Sequence, residues 1–409
     1  MTNRILIGDC REQLATLPEK SVHCCVTSPP YWALRSYLDA DHPDKCYELG
    51  CEPTPEEYVA NMVDVFRAVW RVLRDDGVLW LNLGDSFCSG GREGHGTRVG
   101  YKQQTNRGMC GENDPVRAPQ PPGLKPKDLV GIPWRVAFAL QADGWYLRSD
   151  VIWAKPNPMP ESVTDRPTKA HEYLFMLTKS ARYYYDAEAV KEPCQSGPSN
   201  IRKMQEQRPR IGGLTKDVDA PLNAANRDTN IGQKRGVGDP SGRNRRSVWT
   251  IATEPFSGAH FATFPRKLIE PCILAGTSAK GCCPSCGAPW QRVVEKQSSP
   301  RDYDSPVRRG NENGWQPSCG NVGLRPDHEV HTRTVGWRPT CDCDAGDPIP
   351  CTVLDPFLGS GTTACVAIEH GRAWVGCELN AEYVEIAEQR IAKQRAGLGL
   401  FADIGLPAA

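Results

Sequence analysis

Ser28-Pro29-Pro30-Tyr31 brings a hydroxyl, a proline carbonyl released from sheet pairing and an aromatic face into one short turn. The turn follows Val22 to Thr27, a continuous apolar and β-branched run that reads as a buried strand, and the two prolines end its ladder. These groups suit an exocyclic amine of a nucleobase. Such an amine is a poor nucleophile because its lone pair is delocalised into the ring. Hydrogen bonds donated by its N–H groups to Ser28 and to the Pro29 carbonyl favour a pyramidal nitrogen, and Tyr31 offers a surface for stacking. Chemistry of that kind is mostly positioning, with no covalent enzyme intermediate. Taken alone, Pro-Pro-Tyr is also an ordinary polyproline or turn sequence.

A second segment, Asp355-Pro356-Phe357-Leu358-Gly359-Ser360-Gly361-Thr362-Thr363, lies between a strand-like and a helix-like run. Its glycines let backbone approach a ligand, and the helix N-terminus faces it. Glu378 ends the next strand, where an acid accepts hydrogen bonds from ribose hydroxyls. Three ligand classes compete. A phosphate loop needs Gly-Lys-Ser/Thr, whereas Thr362 follows Gly361. A dinucleotide loop wants a third glycine where Ala364 stands, a substitution its fingerprint sometimes allows, so nicotinamide stays open. S-adenosylmethionine has no phosphate, a ribose for Glu378 and an ammonium that an acid such as Asp355 could meet, and it suits the loop best. The plain alternative is a tight turn with no ligand. Strand, loop, helix and acid together speak against it.

The elements that must position these groups alternate in type. Arg4 to Asp9 reads as a strand followed by a helix to Leu17. Thr54-Pro55-Glu56-Glu57 has the marks of a helix start, and Tyr58, Met62, Val65, Phe66, Val69, Val72 and Leu73 recur at helical spacing. Asp76-Gly77 should end that pattern before a strand from Val78 to Leu83. Leu129 to Leu140 reads as a helix, and Trp145 to Trp153 and Glu172 to Thr178 as an antiparallel edge pair. Thr352 to Asp355, Thr362 to His370, Ala373 to Cys377 and Asn380 to Gln394 form a βαβ unit with a closing helix. The fold class expected is α/β: a Rossmann-like, mixed, mainly parallel sheet.

Taken together, the two motifs resemble those of the amino-group DNA methyltransferases. Thr27 to Trp32 is similar to their catalytic motif and Asp355 to Thr363 to their cofactor motif. Catalytic motif first and cofactor motif last resembles the circularly ordered β group. The resemblance implies transfer of methyl from S-adenosylmethionine to a base of double-stranded DNA, flipped out of the helix. It implies that Asp9 contacts the cofactor adenine and that Phe264 and Pro265 line its methionine side, and it leaves a cognate restriction enzyme as a candidate partner that the sequence does not decide. Serine at the head of the tetrapeptide is more usual in the cytosine-N4 branch, aspartate in the adenine-N6 branch. Cytosine N4 is therefore the expected target, with adenine N6 the runner-up. Two readings outside the family are a nicotinamide oxidoreductase and a non-catalytic zinc module that binds nucleic acid.

The domain organisation expected has a catalytic half at 1–185, interrupted by a basic insertion at 86–127, and a cofactor half at 259–281 and 344–397. Residues 186–258, rich in Lys and Arg among Gly, Asn and Gln, are suited to phosphate contacts, and the resemblance implies that they recognise the target sequence. Their plain alternative is a solvated linker. Residues 282–343 bear cysteines. Cys283-Pro284-Ser285-Cys286 is a knuckle and Cys341-Asp342-Cys343 a second thiolate pair, a set suited to closed structural zinc, with Cys282 or Cys319 as substitutes. Pro193-Cys194-Gln195-Ser196 resembles the nucleophile motif of cytosine-C5 methyltransferases but lies after no cofactor loop and in a polar stretch, and is set aside. The 409 residues carry 49 Lys+Arg and 49 Asp+Glu at 39% hydrophobic content, which excludes a disordered tail or fibrous repeat. No apolar run approaches a membrane span, and eighteen cysteines without a signal sequence point to a soluble cytoplasmic chain with thiols and a metal site.

Overall fold

The computed structural model describes residues 3–34, 36–39, 41–88, 123–193, 242–254, 263–300, 328–344 and 346–402. The chain divides into two compact units: Met1–Ala189 with Arg246–Gln291 and Arg338–Ala409, and Val190–Arg245 with Arg292–Trp337. In chain order the strands are β1 (Arg4–Ile7), β2 (Val22–Thr27), β3 (Leu73–Leu83), β4 (Tyr146–Ala154), β5 (His171–Thr178), β6 (Val248–Thr250), β7 (Gln291–Pro300), β8 (His328–Arg338), β9 (Thr352–Asp355) and β10 (Ala373–Glu378). The α-helices are α1 (Cys10–Ala15), α2 (Pro55–Val72), α3 (Ile132–Ala142), α4 (Arg266–Gly276), α5 (Thr362–Glu369) and α6 (Ala381–Ala402).

Eight strands form one sheet in the order β1-β10-β9-β2-β3-β5-β4-β6. All run the same way except β5, which is antiparallel to both β3 and β4. This is the mixed, mainly parallel α/β sheet that the alternation of elements predicts. Every residue of β2 and β9 is buried, which is why both are mostly apolar or β-branched, with His23 and Asp355 the polar exceptions. Two strands from the C-terminal part of the chain lie between β1 and β2, so the carboxyl ends of β1, β10, β9 and β2 meet side by side. Hence Asp9, Ser28, Asp355 and Glu378 come to one end of the sheet, although they are scattered along the chain.

α2 starts as its sequence requires: the Thr54 hydroxyl accepts the Glu57 amide at 3.2 Å, with Pro55 at the first helical position. Its buried face, Tyr58, Met62, Val65, Phe66, Val69 and Val72, packs into the main core. At about 1.5–3 kcal/mol for each large apolar side chain, that face holds the helix in place. Tyr58 also donates its hydroxyl to the Pro30 carbonyl at 2.8 Å, which pins the proline turn from below.

Three boundaries differ from the sequence expectation. β3 begins at Leu73, directly after α2, because Leu73 pairs with Val22; Asp76 and Gly77 lie within the strand, where the register shifts. α3 begins at Ile132, not Leu129, since Asp85 Oδ1 accepts the amides of Gly131 and Ile132 at 2.9 and 3.0 Å and so caps the helix there. The sheet also gains β6, three residues parallel to β4, inside the stretch read as a recognition region. In the second unit, β7 and β8 pair as a two-stranded ribbon, and Glu192 pairs with Arg243 through side chains and backbone. Residues 89–122 and 194–241, which hold most of both basic stretches and Cys194, lie outside the described residues.

Candidate active site

A cavity of about 790 Å³ opens at the carboxyl ends of the parallel strands. Ser28, Pro29, Pro30 and Tyr31 line it, and so do Phe357, Gly359, Ser360, Thr362 and Glu378. The proline turn and the glycine loop therefore share one chamber, at the crevice where open α/β sheets bind ligands. Asp9 and Phe264 line it as well. Pro265, Asp355, Gly361 and Thr363 are not among its lining residues.

Asp355 is 1% exposed, and its carboxylate is turned to the protein. Thr27 donates its hydroxyl to Oδ1 at 2.7 Å, Thr363 donates to Oδ2 at 2.6 Å, and the Phe357 amide reaches Oδ1 at 3.1 Å. The acid thus ties the strand that ends in the proline turn to the helix that follows the glycine loop. Burial pushes its pKa up to about 6, against the pull of Thr363 and Thr27. An ammonium facing the cavity does not meet this carboxylate directly.

Glu378 is placed otherwise. Its Oε2 accepts the Gly359 amide at 2.7 Å and its Oε1 the Asn380 amide at 2.9 Å, the Leu379 amide also bonds the carboxylate, and Glu378 lines the cavity. Burial raises its pKa to about 7, against those amides. Gly359 has φ +53°, and a Cβ there meets nothing nearer than the Phe357 carbonyl at 4.0 Å, so the loop leaves an open cradle. At Gly361, φ +80°, a Cβ would sit 3.1 Å from the Ala387 Cβ, and the glycine lets α6 close on the loop. Arg390 of α6 donates to the Ser360 carbonyl and hydroxyl, both at 2.6 Å, and to the Thr362 hydroxyl at 3.1 Å. Asp9 caps α1 and is chelated by Arg11; burial opposes its charge, but the Arg11 bonds hold its pKa below the usual value.

The opposite wall carries polar groups that sequence reasoning missed. Tyr31 Oη lies 2.7 Å from Glu172 Oε2 and 3.0 Å from Asn82 Oδ1, and Ser28 donates its hydroxyl to Tyr31 Oη at 3.3 Å. Lys155 forms an ion pair with Glu172, and its ammonium lies 4.3 Å from the centre of the Trp153 ring. The Tyr31 ring rests on Gly84, where a Cβ would come within 2.5 Å of it. Burial and the Glu172 charge keep the phenol protonated by raising its pKa well above the ordinary value. Lys169 Nζ is buried with no hydrogen-bond partner among the described residues, and burial holds its pKa below the usual lysine value. The available signal was a charged residue beside an apolar strand run, as in Glu172 before Tyr173 to Leu177. No spacing links Glu172 to Ser28.

The four cysteines read as metal ligands also converge: Cys283, Cys286, Cys341 and Cys343 have sulfurs all within 4.8 Å of one another. Cys282 belongs instead to a buried group with His23 and Cys351, and Cys319 lies outside the described residues.

These motifs and their order match a known family. The family model described as DNA methylase (N6/N4) matches residues 22–283 and 351–389, and the chain belongs to that family. It is a DNA methyltransferase of the amino-methylating class. Among its relatives, type II methyltransferase M.Cfr9I of Citrobacter freundii is 40% identical over 94% of this chain and 86% of its own length. Type II methyltransferase M.SmaI of Serratia marcescens is 37% identical over 96% of this chain and 91% of its own. Among solved structures, PvuII DNA methyltransferase (cytosine-N4-specific) aligns with a TM-score of 0.49 and 15% identity, over 95% of this chain and 86% of its own. Among the described residues no helix is long and apolar enough to cross a membrane.

Proposed function

We propose that the protein transfers the methyl group of S-adenosylmethionine to the exocyclic N4 amine of cytosine in duplex DNA, at a specific site and after base flipping. The observation that carries this reading is the shared chamber: Ser28 and Tyr31 line it from one side, Gly359 and Glu378 from the other. The residues present fit the cofactor. The open cradle over Gly359 and the Glu378 carboxylate lining the cavity beside it suit a ribose, and no phosphate-binding lysine occupies the loop. When bound, S-adenosylmethionine supplies an electrophilic methyl group on a sulfonium whose charge is lost on transfer.

The chain's own residues do the rest. Glu378 holds the ribose hydroxyls, Asp9 the adenine end, and Phe264 the methionine side, with Pro265 behind it at the start of α4. Ser28 donates its hydroxyl hydrogen bond to Tyr31 Oη, which in turn donates to Glu172, itself ion-paired with Lys155. Ser28 Oγ is thereby set as an acceptor toward the cavity, ready for an amine N–H, with the Pro29 carbonyl beside it. Tyr31 supplies the stacking surface that offsets part of the few kcal/mol spent in unstacking the base. The basic residues of 186–258 and 86–127 supply phosphate contacts.

Serine at the head of the tetrapeptide supports cytosine over adenine. The names of the relatives, type II methyltransferases, support a cytoplasmic enzyme that works beside a restriction endonuclease. The test is direct: incubate duplex DNA with the protein and S-adenosylmethionine, hydrolyse it, and identify the nucleosides by mass spectrometry. N4-methylcytosine is the expected product. 6-Methyladenine alone would reverse the choice of base, and no methylated nucleoside would overturn the reading.

A further inference from the structure

We propose that Cys283, Cys286, Cys341 and Cys343 bind one structural zinc ion that fastens both ends of the excursion between them to the amino-terminal ends of β2 and β3, away from the active-site chamber. Sulfurs mutually within 4.8 Å suit a tetrahedral site, in which Zn–S bonds of about 2.3 Å place sulfurs about 3.8 Å apart. All four are free thiols. The first pair sits in a formed knuckle: the Gly287 amide donates to the Cys283 carbonyl at 2.8 Å and the Cys283 amide to the Ala288 carbonyl at 2.9 Å, with Gly287 at φ +72°.

Two groups of the sheet grip that knuckle from outside. Arg74, at the start of β3, donates to the Cys286 carbonyl at 2.7 Å, and its guanidinium offsets the net negative charge of four thiolates around one Zn²⁺. His23, at the start of β2, has Nε2 2.8 Å from the Gly287 carbonyl, while its Nδ1 accepts the Thr352 amide at 3.0 Å. With one nitrogen donating and the other accepting, His23 has no lone pair left for a metal. The buried His23, Cys282 and Cys351 group is therefore a brace beside the site, not a second centre.

The sequence boundaries agree. The family match stops at Cys283 and resumes at Cys351, so the excursion is an addition to the methylase sheet, and the four thiols stand where it leaves and returns. Its stem is closed by Cys282 and Ile349, which exchange backbone bonds of 2.8 and 2.9 Å. Ser28 and Glu378 stand at the carboxyl ends of the strands. A metal at the other end touches neither, so its role is to hold the chain.

The test uses the full-length protein purified from zinc-supplemented medium. One zinc per chain is expected by elemental analysis, and cobalt substitution should give the spectrum of a tetrahedral thiolate site. Removing the metal with a thiol-reactive agent and chelator should speed hydrogen exchange at the amides of Cys283, Gly287 and Thr352, and leave S-adenosylmethionine affinity within twofold. Cys341→Ser/Cys343→Ser should bind less than a tenth of the metal. Absence of metal in the wild-type protein, an octahedral cobalt spectrum, or full zinc retention in that variant would overturn the site. Loss of cofactor binding in metal-free protein that keeps its far-ultraviolet circular dichroism would overturn the purely structural role. The metal analysis does not depend on methyl transfer.

Discussion

Glu378→Gln isolates the proposed contact with the cofactor ribose. Burial lifts the Glu378 pKa to about 7, and the ionised form is the better acceptor for two ribose hydroxyls. Cofactor binding should therefore select the carboxylate. With a pKa of about 7, the ionised fraction falls from about nine-tenths at pH 8 to about one-tenth at pH 6. Affinity should then drop about tenfold across that interval, equivalent to about 1.4 kcal/mol. The fold itself should respond in the opposite sense: the folded carboxyl holds its proton more tightly than the unfolded one, so unliganded stability falls as pH rises from about 4.5 to about 7 and is flat above. The assay is titration calorimetry with S-adenosylmethionine at several pH values. The ligand's own amino group titrates too, at about 7.7 to 8.0 for an ordinary α-amine. Glu378→Gln is the control, since it keeps that contribution and abolishes the one from the side chain. An affinity that is flat between pH 6 and 8, or a slope equally steep in Glu378→Gln, would refute the assignment.

Three further outcomes follow from the geometry. Ser28→Ala should keep S-adenosylmethionine affinity within twofold and cut the methylation rate by on the order of a hundredfold, the usual scale for removing one positioned hydrogen-bonding group, as read by product formation under saturating cofactor. Thr27→Val removes the 2.7 Å donor to buried Asp355 and should cost about 1.5–3 kcal/mol in denaturant unfolding at pH 8, where that acid is charged. The loss should shrink at pH 5, below the Asp355 pKa of about 6, and an equal loss at both pH values would refute the account. Gly361→Ala forces a side chain into φ +80° and against the Ala387 Cβ at 3.1 Å, and should lower stability by about 1–2 kcal/mol by the same measurement.

The parts of this molecule legible in the sequence are those in which one local pattern serves one physical need. β2 and β9 are buried throughout, so their apolar runs carry no ambiguity. α2 shows its cap and its buried stripe in the order they occur. β6 has three residues, too few for any periodicity, and exists because the edge of β4 needs partners: Ile152 donates to the Ser247 carbonyl and Ile251 to the Ala154 carbonyl. β3 begins early because Leu73 finds Val22, a long-range pairing that the charged Arg74-Asp75-Asp76 stretch hides. In the chamber, residue types were legible but directions were not. Asp355 looks like a ligand-facing acid until Thr27 and Thr363 are seen to claim both of its oxygens. Glu172 comes from β5 and Lys155 from just past the end of β4, far in sequence from the turn they support.

The interleaved order β1-β10-β9-β2 has a consequence for how the chain is made. Among the described residues β1 pairs only with β10, and β10 does not emerge until residue 378 has been synthesised. At roughly 5–20 residues per second, the first strand waits on the order of half a minute or longer for its partner. A nascent chain cut off before Thr352 lacks both β9 and β10, and with them Glu378 and the glycine loop. Truncated translation products can therefore build no chamber, and only chains that reach beyond β10 can assemble the site. The same topology makes most pairings distant in sequence, so refolding from denaturant should be slow for a domain of this size.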